Sequence, residues 1–160
     1  MKKYIFIILA ALLAGCHHID DDRIPPAAVH VAFNTIGDWH TYGVSGVGQP
    51  RLFILEQRQP SGFPYTATSH TGFGGIMLVG DIHGNPMAYD LACPVEARTS
   101  TRVQFISDDM TAECPVCHSV YEIVTNYGQP LSGPAADRGY GLRRYRVTPG
   151  LAGEYMIITR

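Results

Sequence analysis

The residues best equipped for chemistry fall in two short stretches, Cys93-Pro94-Val95-Glu96 and Glu113-Cys114-Pro115-Val116-Cys117-His118. Thiolate sulfur is a soft donor that selects iron–sulfur centres and zinc, and imidazole or carboxylate can complete such a set. Cys93, Cys114 and Cys117 supply three sulfurs, and His118 or Glu96 could supply a fourth ligand. The run Cys114-Pro115-Val116-Cys117-His118 also satisfies the Cys-X-X-Cys-His pattern of c-type haem attachment. Without any metal, two of the thiols could pair as a disulfide in an oxidising compartment.

These residues need a scaffold that returns one stretch to the other. Twenty residues separate Cys93 from Cys114, enough for a hairpin. Apolar alternations at 51–55, 76–79, 87–89, 103–106, 120–124, 144–147 and 155–158 predict short strands. Gly and Pro punctuation such as His83-Gly84-Asn85-Pro86 and Pro149-Gly150 separates them. No convincing helix stands out after Ala28, no internal repeat is apparent, and 57–75 reads as a long ordered loop. The expectation is one all-β domain, an antiparallel sandwich or barrel-like stack. Trp39 lies outside the clear strands and could be a packing plug or a contact surface. Arg143, Arg144 and Arg146 read as a solvated strand face.

The chain has 160 residues, 46% hydrophobic and 16% charged, with a formal net charge of −2. That length suits a single core, and so weak a charge removes the electrostatic case for nucleic acid. The only lysines, Lys2 and Lys3, precede an apolar run from Tyr4 to Leu13 that is too short to span a bilayer. The run closes on Leu13-Ala14-Gly15-Cys16, which resembles the bacterial lipobox. That resemblance implies a signal peptide over 1–15 and lipidation of Cys16. A tether over 16–27 and a β domain over 28–160 would follow, anchored to the membrane and facing the periplasm or the cell surface. The mature chain would carry ten Arg against fourteen Asp and Glu, a formal −4, and three thiols. Asp20-Asp21-Asp22 resembles the export signals of Bacteroidetes lipoproteins and reads equally well as a solvated spacer. An odd number of thiols leaves one free or puts all three on a metal.

From about Gly75 onward the chain resembles the Rieske iron–sulfur domain, in which one loop carries Cys-X-His and the other Cys-X-X-His. Gly84 to Asp90 resembles the strand entering the first loop, which Cys93-Pro94 opens. Cys114-Pro115 opens the second, with Ser119 and Tyr121 at that family's Ser and aromatic positions. Gly133-Pro134-Ala135, followed by Leu142 and Tyr145, resembles the loop that covers the cluster. The departures fall on the ligands. Val95 stands at the first His position, Cys117 at the second, and His118 where the family usually has Gly. The resemblance thus implies a divergent 2Fe–2S centre with an incomplete set: Cys93, Cys114 and Cys117, with His118 or Glu96 as candidates for the fourth place. Thiolate in place of imidazole should lower the potential of any cluster.

Four readings follow: an iron–sulfur electron carrier serving an unknown redox protein, a structural zinc site, a metal-free interaction domain, and haem. Haem fits least, because 120–124 reads as a strand and Cys93 would have no task. No paired carboxylates, Ser-His arrangement or phosphate-binding Gly loop argues for a catalytic site.

Overall fold

The computed structural model describes residues 18–125, 127–151 and 153–160. Its strands are β1 (Val29–Phe33), β2 (Arg51–Phe53), β3 (His70–Thr71), β4 (Ile76–Gly80), β5 (Pro86–Asp90), β6 (Gln104–Ile106), β7 (Thr111–Glu113), β8 (Val120–Glu122), β9 (Pro130–Ser132), β10 (Arg144–Pro149) and β11 (Met156–Thr159). They form a seven-stranded sheet in the order β2-β4-β5-β10-β11-β1-β3 and a four-stranded sheet in the order β6-β7-β8-β9. Every strand pairing is antiparallel, so the chain is an all-β protein with short helical insertions. None of the described helices is long and apolar enough to cross a membrane.

Strand β4 explains why one chain has two cores. All five of its residues are buried, and successive side chains point to opposite faces. Ile76 and Leu78 enter a cluster with Val31, Phe33, Phe53, Phe63 and Ile158. Met77 and Val79 enter the other, with Tyr89, Leu91, Cys93, Cys114, Tyr121 and Leu142. The small sheet and both cysteine stretches belong to this second core. The uninterrupted apolar run Ile76-Met77-Leu78-Val79 is the sequence mark of a strand covered on both sides.

Two helices depart from the sequence expectation. Helix α1 (Ile36–Tyr42) begins at a capping box, in which the Thr35 hydroxyl accepts from Asp38 N–H and the Asp38 carboxylate accepts from Thr35 N–H. Its seven residues are too few for an apolar period to show. It seats Trp39 edge-on against Phe33 at 4.9 Å, so the tryptophan is a packing plug. Helix α2 (Pro134–Arg138) is one turn, opened by Pro at its first position and closed by Gly139 in the left-handed region.

The segment read as a tether lies on the domain from Ile19 onward. Asp20 N–H donates to Gly139 O at 2.7 Å and Gly141 N–H donates to Asp20 O at 2.9 Å. Ile24 is buried, and the Arg143 guanidinium donates to Asp22 Oδ1 and Ile24 O. Asp21 accepts from Arg144 Nε, and the Arg23 guanidinium lies over the Tyr140 ring. Arg143 therefore belongs to the interior, unlike the exposed Arg144 and Arg146. A run of three carboxylates looks solvated in sequence because the arginines that meet two of them, Asp21 and Asp22, lie more than 120 residues away. The proposed signal peptide and lipidation site, 1–15 and Cys16, lie outside the described residues.

Arg143→Ala is expected to lower unfolding stability by about 2 kcal/mol, the value of hydrogen bonds to a charged group. It should also expose the bond after Arg23 to trypsin. Urea unfolding and timed proteolysis read both effects; unchanged kinetics of cleavage would mean that the segment is held by other contacts.

Candidate metal centre

The first cysteine stretch leaves β5 through a buried carboxylate clamp. Asp90 Oδ1 accepts from Gly74 N–H at 2.9 Å and Ala92 N–H at 2.7 Å, and Oδ2 from Phe73 N–H at 2.7 Å and Tyr145 Oη at 2.5 Å. Burial raises the carboxyl above its ordinary range, and the four donors pull the other way. Gly74 allows this approach, since a Cβ there would stand 2.5 Å from Ala92 N. Leu91 then pairs with Gly75 and Val103, and Cys93 N–H donates to Thr101 O at 3.0 Å. The second stretch is the turn between β7 and β8, where Cys114 N–H donates to Ser119 O at 3.0 Å.

The two turns are built alike. In the first, Ala97 N–H donates to Cys93 O at 2.8 Å; in the second, His118 N–H donates to Cys114 O at 3.0 Å. Each fifth residue sits in the left-handed region, with φ of 50° at Ala97 and 55° at His118. Each turn opens Cys-Pro-Val. The repeat missed in the sequence is therefore five residues long: Cys93-Pro94-Val95-Glu96-Ala97 and Cys114-Pro115-Val116-Cys117-His118. The paired Cys-Pro-Val was its signal. A left-handed fifth residue also gives the physical reason for a glycine at the position of His118.

The turns bring Cys93, Cys114 and Cys117 together, with their three sulfurs within 4.8 Å of one another. Cys93 and Cys114 are buried, whereas Cys117 is partly exposed, and none is in a disulfide. Cys93 Sγ lies 3.6 Å from Cys117 Sγ and 3.6 Å from Tyr121 Oη. The Cys117 thiol donates to Ser119 Oγ at 3.2 Å, and Ser119 Oγ also accepts from Ala135 N–H at 3.0 Å; with Cys117 as thiolate the hydroxyl donates to the sulfur instead. Gly133 lies against the second turn, where a Cβ would meet Ser119 Cα at 2.9 Å. With Pro134 starting α2, the 133–135 stretch packs against Ser119 of the second turn.

His118 does not join the sulfurs. Its Nδ1 lies 2.9 Å from Glu113 Oε1 and its side chain is 73% exposed. Among the described residues no His, Asp or Glu completes the three-sulfur group. Glu96, the other candidate, is partly exposed on the first turn, and Val95 packs against the core.

The electrostatics separate the thiols. Burial pushes Cys93 up to about 12, against hydrogen bonds from the Glu96 and Val95 amides and Tyr121. Burial also opposes the Cys117 thiolate, but the Ser119 hydroxyl and N–H and the neighbouring sulfurs outweigh it and leave Cys117 below an ordinary thiol. Soft donors, partly buried and met by N–H and O–H groups, suit a thiophilic cation. They fit iron or zinc. For a two-iron cluster they give three of the four ligands.

No family model matches the chain, and no curated protein does. Among solved structures, the chain is similar to the ferredoxin of carbazole 1,9a-dioxygenase from Nocardioides aromaticivorans IC177. That similarity covers 70% of this chain and 97% of that one, at 21% identity and a TM-score of 0.36.

Two substitutions test this geometry. His118→Gly is expected to keep full metal loading and to hold or raise stability by about 1 kcal/mol, because it removes left-handed strain; a large loss of bound metal would make His118 a ligand. In metal-free protein, Ser119→Ala should move the pH profile of Cys117 alkylation to higher pH, because the thiolate loses a donor. An unmoved profile would separate Ser119 from the Cys117 thiolate.

Proposed function

We propose that the protein is an electron carrier whose redox group is iron held by Cys93, Cys114 and Cys117 between two Rieske-like loops. Lipid on Cys16 would hold it at a bacterial membrane, facing the periplasm or the cell surface and serving a redox partner protein. The observation that carries this reading is the convergence of three sulfurs from two turns onto one point at the edge of a packed core.

Iron in such a place supplies a one-electron couple. The protein's own groups then set how readily that couple changes state. Three thiolates bring more negative charge than the mixed Cys and His set of the Rieske family and favour the oxidised form. Tyr121 Oη, Ser119 Oγ and the amides of the first turn soften that bias by donating toward the thiolate sulfurs. The partly exposed Cys117, beside the exposed Pro115 and Val116, leaves one side of the site near solvent, where a partner could approach.

A zinc ion would fit the same donors and would make the site structural. The full chain, purified anaerobically in detergent, distinguishes these outcomes by visible absorption and metal analysis of one sample. Iron with sulfur-to-iron charge-transfer bands, all lost in Cys114→Ser, is the expected result. Colourless protein carrying stoichiometric zinc would overturn electron transfer, and colourless metal-free protein after iron and sulfide reconstitution would leave an interaction module.

A further inference from the structure

Resting on the reading of a thiolate metal centre, we propose that the site holds a single metal ion between two equivalent turns, with the Glu96 carboxylate as its fourth ligand. Two observations lead there, one from distance and one from the repeat.

A tetrahedral ion with metal–sulfur bonds of about 2.3 Å holds its sulfurs about 3.8 Å apart. In a two-iron cluster the four ligands are divided between the irons, and sulfurs on different irons stand further apart by at least the metal–metal separation. The Rieske resemblance puts Cys93 and Cys114 on one iron and Cys117 on the other. Cys93 and Cys117 should then be a long pair. They are 3.6 Å apart, and all three sulfurs fall within 4.8 Å. The pair expected on separate irons has the spacing of ligands that share one ion.

The repeat locates the remaining place. The turns share the Cys-Pro-Val opening, the bond from the fifth N–H to the first C=O, and the left-handed fifth residue. In the second turn the first and fourth residues, Cys114 and Cys117, are both ligands, at the Cys-X-X-Cys spacing of structural metal sites. The corresponding residues of the first turn are Cys93 and Glu96. Backbone equivalence therefore gives Glu96 the role that Cys117 has. A carboxylate at 2.0–2.2 Å is an accepted fourth ligand beside thiolates for a borderline ion. Among the described residues the Glu96 carboxylate stands outside the three-sulfur group, so on this proposal a bound cation draws it in, and His118, the competing donor, is engaged with Glu113.

Cobalt(II), a spectroscopic stand-in for iron(II) and zinc, tests this directly on the full chain in detergent, alongside iron and acid-labile sulfide analysis. One ion per chain and no labile sulfide are expected. Glu96→Cys should raise sulfur-to-cobalt charge-transfer absorbance by about a third, from three thiolates to four, and tighten binding at least about tenfold. Glu96→Gln, which keeps the shape and removes the charge, should weaken binding by at least a similar factor while the fold, read by circular dichroism, is unchanged. Two irons with two labile sulfides per chain would overturn the single-ion site and leave the electron-carrier reading standing. Wild-type affinity and spectrum in both variants would remove Glu96 from the site, and a chain that takes up no metal would overturn both readings.

Discussion

Thiols buried in an apolar core can ionise only if a cation takes their charge, and this constraint organises the molecule. Cys93 and Cys114 are fully enclosed by the second core, and Cys93 alone would hold its proton until about pH 12. In the proposed site, metal binding would displace that proton. Groups that favour sulfur in its charged form surround the thiols: the amides of the first turn, the Tyr121 hydroxyl, and Ser119 on the second turn. Ser119 is itself fixed from behind by Ala135 N–H, which ties the 133–135 stretch to the second turn.

Bringing three sulfurs within 4.8 Å of one another requires supports on both turns. The first hangs from Asp90, whose four hydrogen bonds tie together β5, the Gly72–Gly75 stretch and β10 through Tyr145. A second support is the hairpin from β6 to β7, which carries the chain from Cys93 back to Cys114 and pairs in register with β8. Both rest on β4, the strand shared by the two cores. The docked segment at 19–24 closes the far side by contacts to Gly139, Tyr140 and Gly141, immediately after α2. The 19–24 segment is thus fastened just beyond α2, whose first turn packs against Ser119.

Much of this was legible. Each of the seven apolar stretches became a strand, because short apolar runs set off by Gly and Pro are a local property of sequence. Strands β1, β3, β7 and β9 were less visible: three of them have two or three residues, and Thr111-Ala112-Glu113 has little apolar content of its own. Helix α1 announced itself only through the Thr35 and Asp38 capping pair. The three cysteines were evident from type and spacing. Their convergence on one point followed from the hairpin that returns the second stretch to the first; the matching backbone of the two turns did not, because it depends on dihedral angles rather than on composition. Likewise, nothing local in Asp20-Asp21-Asp22 reveals that Arg143 and Arg144 will reach them.

The decisive measurement is X-ray absorption at the metal edge of the anaerobically purified chain. A first shell of three sulfurs at about 2.3 Å and one lighter atom at 2.0–2.2 Å, with no metal–metal vector, is the expected result. A metal–metal vector beside a sulfur-rich shell, or a shell without sulfur, would contradict the arrangement of Cys93, Cys114 and Cys117 around a single ion.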